Sequence, residues 1–277
     1  LLVNASTPNQ IALYSPTQPN KLRLLSANFG GAIPTCPPVA VQDKFAIGLD
    51  NGQLLIIDPS NGAPAATPYQ PPMQPGAKLV WNQPAYLADS QTLIAANDNQ
   101  KLVRLGVSDA LRMLSEVDLE NRLIGPLLAI GNKVFGVEAT AATDNLLDFD
   151  GTSLAKGKSL ALEGRLVSGP FAVEGVVIVQ VDGKLQAISA ENQKLWTADF
   201  PQSKLLGPPL KSGENLVFLS TSGFVLVVNQ ASGEVVGSAD VGQPLSGTAR
   251  IAASGIIVGS DEGAVLLLPV PTSRHGE

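Results

Sequence analysis

The chain has 277 residues, of which 44 % are hydrophobic and only 15 % charged, so it can bury a sizeable core and is too apolar to be a disordered polymer. A net charge of −6, with no Lys/Arg cluster beyond two neighbours, excludes a nucleic-acid surface. One cysteine, Cys36, excludes an internal disulfide and reads as a small buried hydrophobe; no apolar run reaches the length of a membrane span, so no direct membrane insertion is expected.

The punctuation by 27 Gly and 21 Pro is that of short strands and tight turns. Residues 1–33 read as three strands: LLVNAS, a turn at Pro8-Asn9, QIALYS, a turn over Pro16 to Asn20, then LRLLSANF. Residues 34–80 begin with CPPVAV and continue as FAIGLDNGQLLIID, folded at Asn51-Gly52; a proline-rich connection over 68–84 follows, expected to be an extended surface loop. Residues 81–121 open on NQPAYL and replace the turn glycine by Asn97-Asp98-Asn99-Gln100. Residues 122–164 open on IGPLLAI and stretch the turn over Ala139–Asn145. Residues 165–204 and 205–244 are regular, with SGPFAV before VVIVQVDGKLQAIS and LGPPLK before LVFLSTSGFVLVVN. Residues 245–271 hold SGTARIA, GIIVGS and AVLLLPV, and 272–277 form a tail.

The turn glycines Gly183, Gly223 and Gly263 are 40 residues apart. A period of that length in a β-rich chain predicts a propeller with one four-stranded blade per repeat. The expectation is all-β: a seven-bladed β-propeller of four-stranded antiparallel blades in a single domain over 1–271, its first and last blades incomplete. The Pro- or Gly-bearing segment that opens six of the units reads as the innermost strand, with proline tolerated at a strand's first residue. Three strands in each terminal unit and four in each of the other five sum to about 26 of 28. Residues upstream of Leu1 are expected to supply the missing pair and close the ring.

Chemistry has little material. The only histidine is His275, near the end, and there is no GxSxG, P-loop or HExxH. DFDG at 148–151 has a distant likeness to a calcium loop, but lacks the later ligands and reads as a strand-joining turn. No catalytic, cofactor-binding or metal-ligating residue is assigned.

The turns between second and third strands would open on one rim, carrying Asp50, Asn51, Asp98, Asn99, Asp144, Asn145, Asp182, Ser222, Asp261 and Glu262. Asp and Asn suit turns because they tolerate the geometry and cap their own backbone. Alternatively these carboxylates form a cluster able to meet a basic peptide or a cation. Tyr69, Met73 and Trp81 lie in the proline-rich connection. Trp81 reads as packing between blades; Tyr69 and Met73 stand open between packing and service as interface anchors.

Residues 176–200, VVIVQVDGKLQAISAENQKLWTADF, carry a D-G-K-L turn, an apolar strand and a K-x-L-W phrase. This resembles the repeat of the pyrroloquinoline-quinone-like (quinoprotein-type) propeller family, and LDNGQLLIIDPSNGAP and STSGFVLVVNQASGEVVGSADV follow the same pattern. The closing phrase is similar to C-terminal propellers of large planctomycete-type bacterial proteins. The family spans quinone-dependent dehydrogenases and cofactor-free members such as the outer-membrane assembly lipoprotein. Its enzymes have adjacent cysteines, eight tryptophan-docked blades and a calcium ion near the quinone. This chain has one cysteine and two tryptophans, of which Trp196 matches the docking position. The resemblance therefore implies no cofactor, an extracytoplasmic setting, and a non-catalytic platform that binds proteins or other domains of a parent chain. The alternatives are a quinone- or small-ligand-binding enzyme with a central funnel site, and a purely structural spacer.

Overall fold

The computed structural model describes residues 2–3, 10–14, 22–200 and 204–272. The expected tail at 272–277, with His275, lies outside these residues beyond Thr272, as do the turns around Pro8-Asn9 and Pro16 to Asn20.

The described residues form 25 strands and no helix. They build seven antiparallel sheets, each made of strands consecutive in the chain. The first contains β1 (Leu2–Val3), β2 (Gln10–Tyr14) and β3 (Leu22–Ser26); the second β4 (Val39–Val41), β5 (Lys44–Gly48) and β6 (Leu54–Ile57). The third contains β7 (Ala85–Leu87), β8 (Thr92–Ala96), β9 (Lys101–Val107) and β10 (Leu111–Asp118). The fourth contains β11 (Leu123–Ile130), β12 (Lys133–Glu138), β13 (Asn145–Asp150) and β14 (Lys156–Ala161). The fifth contains β15 (Leu166–Val173), β16 (Val176–Val181), β17 (Lys184–Ile188) and β18 (Lys194–Asp199). The sixth contains β19 (Leu210–Ser212), β20 (Asn215–Leu219), β21 (Phe224–Asn229) and β22 (Val235–Asp240), and the seventh β23 (Leu245–Ala252), β24 (Gly255–Ser260) and β25 (Val265–Leu268).

The chain divides into two compact units, Leu1–Ala139 with Asp148–Gly157, and Thr140–Leu147 with Lys158–Glu277. In the first, the second sheet is buried on both faces. Alternate side chains sort to opposite sides, as the two-residue period of a strand dictates. Ala46, Leu54 and Ile56 join a cluster with Leu93 and Leu105 from the third sheet and Trp81 from the segment entering it, while Ile47, Leu55 and Ile57 meet Ile11 and Leu25 from the first and Phe29 just after it. The sixth sheet repeats this sorting in the second unit. Leu216, Phe218, Leu226 and Val228 pack with Ile178 and Leu185, whereas Val217, Leu219, Val225 and Val227 pack with Ile256 and Val258. Burial on both faces explains why these strands read as unbroken apolar runs rather than alternating ones.

Two expectations need correction. The second sheet has three strands, not four. Its outer position is taken by separate bridges, Ile57 with Pro64 and Leu54 with Tyr69, because Pro59, Pro64 and Pro68 interrupt the supply of N–H donors a continuous strand needs. In addition, the prolines of the inner segments do not all begin strands. Pro126 and Pro170 lie inside β11 and β15, where the pairing register breaks between Ile124 and Leu128 and between Ser168 and Phe171. The same break occurs in β23 between Ser246 and Arg250. In the other three units the break separates a lone bridge (Pro34–Leu49, Trp81–Asn97 or Leu205–Ser220) from β4, β7 or β19. All six inner segments thus share one device, a ladder interrupted within the segment. Gly125, Gly169 and Gly247 have φ of 70°, 98° and 75° there, which glycine alone adopts without cost.

Candidate functional site

In the second to seventh sheets, the turn after the second strand is anchored to the segment that enters the same sheet. Asp50 N donates to Ile33 O at 2.8 Å while its Oδ1 accepts from Ile33 N at 2.9 Å. Asp98 makes the same pair of bonds with Val80, both at 3.0 Å. Asp182 makes it with Arg165, its N donating at 3.3 Å and its Oδ2 accepting at 2.8 Å. In the remaining sheets the N–H of Ala139, Thr221 or Asp261 donates to Arg122, Lys204 or Pro244 O. At the last of these Pro244 offers no N–H for the carboxylate to accept. Aspartate at this position therefore holds a neighbouring segment's backbone, a role distinct from capping its own turn.

The third sheet's turn lacks glycine because Gln100, at φ 58°, takes the left-handed place that Gly52 takes at 87° and Gly183 at 77°. The buried Asn97 organises it, its Oδ1 accepting from Asn99 N at 3.1 Å and Lys101 N at 3.3 Å. In the fourth sheet, Asp144 is buried rather than displayed. Its Oδ1 accepts from Arg165 Nη1 at 2.8 Å and its Oδ2 from Leu166 N at 2.8 Å, while the same guanidinium donates to the carbonyls of Thr140 and Ala141. Asp144 is an internal anchor for the stretched turn, and the sequence reading missed Arg165 as its partner. DFDG is not itself the turn: residues 148–150 end β13 and the turn follows at 151–153, where Asp150 Oδ1 accepts from Thr152 N and Ser153 N at 3.0 and 2.7 Å.

The proline-rich connection places Trp81 in the core of the first unit, with Nε1 donating to Gly52 O at 3.2 Å. Tyr69 is buried too, edge-on to Trp81 with ring centroids 6.4 Å apart. Its hydroxyl still points outward, to Met113 Sδ at 3.7 Å. Met73 is half-buried, with its sulfur 3.6 Å from Gln70 Nε2. The only two methionines of the chain thus flank residues 69 and 70.

A register break in β10 between Met113 and Ser115 inserts Leu114. Without it, residues 113 and 116 would point to opposite faces. With it, Met113 stands opposite Leu105 and Glu116 opposite Val103, both of which face the Tyr69–Trp81 cluster. Burial, and next the charge of Glu116, raises the Tyr69 phenol.

Beside this cluster opens a cavity of about 270 Å³, walled by Pro71, Pro72, Met73 and Leu79 and by Lys101 and Glu116. Lys101 Nζ pairs with Asp118 at 2.5 Å and Glu116 at 3.2 Å, and these carboxylates raise its pKa. At the adjoining turn, burial draws the Asp50 carboxyl upward, but the ammonium of Lys78 at 2.5 Å and the N–H of Ile33 outweigh it and hold the group low. Of the residues expected on a rim, Asn99, Asp182, Asp261 and Glu262 are exposed, and Asp50, Asn51 and Asp98 half-buried. Structure brings Met73 and Asn99 to this one cavity in the first unit.

Among the described residues, no group of three or more His, Cys, Asp and Glu side chains is placed to hold a metal ion. Cys36 is the only cysteine, its thiol pushed up to about 11 by burial, so the adjacent-cysteine element of quinone enzymes does not fit.

The family model described as outer membrane protein assembly factor BamB matches residues 77–267. No protein of curated function matches the sequence. Among solved structures, BamB from Moraxella catarrhalis superposes with a TM-score of 0.59 at 16 % identity, covering 89 % of this chain and 75 % of that one. The computationally designed Ika8 protein gives 0.65 at 11 % identity, covering 94 % and 80 %. BBS1N, solved in complex with ARL6DN, gives 0.64 at 13 % identity, covering 96 % and 92 %. At these identities the likeness concerns the fold.

Proposed function

The chain belongs to the BamB-type family of PQQ-like β-propellers, and on that footing we propose that it is a non-catalytic protein-binding module whose contact face lies in the first unit, around the cavity beside Tyr69. The carrying observation is the cavity itself: a concave apolar wall of Pro71, Pro72, Met73 and Leu79 on a rigid two-sheet core. Proline presents apolar surface at little cost in chain entropy, and methionine adapts its shape to different partners. Sheets buried on both faces hold these loops in place, which lowers the ordering cost of association. The setting proposed is extracytoplasmic, by analogy with the assembly factor that names the family model; domain context within a larger bacterial protein belongs to the same proposal.

Site-specific photo-crosslinking tests this. A benzophenone side chain at Met73 or Asn99 should capture a defined partner in cells, whereas one at the exposed Glu234 should not, and Met73→Glu should weaken binding of the captured protein at least tenfold. Equal capture at all three positions, or unchanged affinity of the Met73→Glu protein, would sink the proposal.

A further inference from the structure

The wall opposite the prolines has a chemistry of its own. Glu116 and Asp118 stand two residues apart on the outer strand β10, and one ammonium, Lys101, bridges both. Glu116 is about one-third exposed at its side chain and Asp118 is 82 % exposed, so two carboxylates share a single cation. Met113, 54 % exposed, lies on the same side of the strand as Glu116 because of the extra residue Leu114. Running along β10, the surface is apolar at Met113, concave where Glu116 lines the cavity, and acidic at Asp118.

Resting on the reading of this face as an interaction surface, we propose that its partner is an extended segment with an apolar side chain in the cavity and a Lys or Arg two residues away. The spacing follows from strand geometry: at about 3.3 Å per residue, side chains two apart on one face lie about 7 Å apart in both the segment and β10. The apolar anchor meets Pro71, Pro72 and Met73. The partner's cation meets Asp118 and takes over one of the carboxylates that Lys101 now bridges. An acidic segment would instead bring a third carboxylate beside two, which repels.

The test uses fluorescein-labelled synthetic decapeptides of Ser and Thr with one central Leu and with Lys, Ser or Glu two residues on either side of it. Fluorescence anisotropy at low salt should rank Lys over Ser over Glu, and the Lys preference should fade as ionic strength rises. Lys101→Ala releases both carboxylates and should tighten the Lys peptide about two- to fivefold, an effect that a merely structural lysine would not give. The pair Glu116→Gln and Asp118→Asn should abolish the Lys preference, so that the Lys, Ser and Glu peptides bind that protein alike. Absence of any binding, or binding that ignores charge, overturns this inference. Charge-blind binding that Met73→Glu still abolishes would leave the interaction face standing. Binding indifferent to Met73→Glu would remove both.

Discussion

Trp81 and Trp196 solve the same packing problem from different places. In the regular fifth and sixth sheets, Trp196 sits on the outer strand β18, lies over Gly233 and donates Nε1 to Gln230 O at 2.8 Å. In the second and third sheets, Trp81 comes from the segment entering the third sheet, lies over Gly48 and donates to Gly52 O at 3.2 Å. In the fifth sheet the outer strand carries the aromatic. Where prolines have dissolved the outer strand, the aromatic arrives from inside, and Tyr69 and the two methionines fill the outer side. The first arrangement closes the edge of a sheet; the second closes the core and leaves a cavity beside it.

The largest expected effect tests whether the two tryptophans are equivalent. Trp81→Ala and Trp196→Ala should each cost about 3–5 kcal/mol, read as shifts of the urea midpoint. Only Trp81→Ala should also alter the cavity, by removing the ring against which Tyr69 stands. A Trp81→Ala protein with unchanged binding at the cavity would separate the two regions' roles and leave Trp81 as packing alone.

Next comes the anchor of the stretched turn. Arg165→Ala strips the buried Asp144 of its cation and frees the carbonyls of Thr140 and Ala141. A cost of about 2–3 kcal/mol is expected, at the low end for a buried pair because the arginine is half exposed. Limited proteolysis should then cut within 139–144. An uncut loop would show that backbone bonds alone hold this turn.

These contrasts track what could be read from the sequence. The 40-residue turn period was legible because Gly52, Gly183, Gly223 and Gly263 sit at left-handed φ of 87°, 77°, 101° and 84°, a demand that side-chain chemistry expresses locally. The apolar strands were legible for the same reason: each position answers to its own burial. The lost outer strand, the shift of Met113 and Glu116 to one face by Leu114, and the clasp of Asp144 by Arg165 were not. The first follows from prolines that the sequence displays, but the other two depend on which residue the fold sets opposite, Leu105 for Met113 and, 21 residues away, Arg165 for Asp144. Tyr69 and Met73 were legible as interesting only because prolines flank them, and a flank does not say whether a side chain points in or out. Structure answers differently for the two, with Tyr69 buried up to its hydroxyl and Met73 half-open at the cavity.

A smaller effect compares the glycines beneath the rings. A Cβ at Gly48 would lie 2.7 Å from Trp81 Cβ, and one at Gly233 2.7 Å from the Trp196 ring. Gly233 has φ 74° as well. Gly233→Ala should therefore cost about 1 kcal/mol more than Gly48→Ala, which bears the overpacking cost of about 1–3 kcal/mol alone. Equal losses would mean that the backbone at 233 relaxes freely and that the outer-strand docking is the softer of the two.

The smallest effect concerns acid. Asp50 ties the turn of the second sheet to Ile33 and Lys78, and its pKa is held below the ordinary 3.8. A folded-state pKa below the unfolded value means that the carboxylate's contribution is fully present above pH 3.8 and is lost as pH falls through the folded value. In Asp50→Asn the amide oxygen still accepts from Ile33 N, but the attraction to Lys78 is gone at every pH. The gap in melting temperature between wild type and Asp50→Asn should thus be constant from neutral pH down to the ordinary carboxylate range and then close. Asp182 makes the matching clasp in the other region, its carboxylate accepting the backbone N–H of Arg165. No gap for Asp50→Asn at any pH would assign the clasp's strength to the Ile33 bond alone, and would make the turns of the two regions alike where their edges are not.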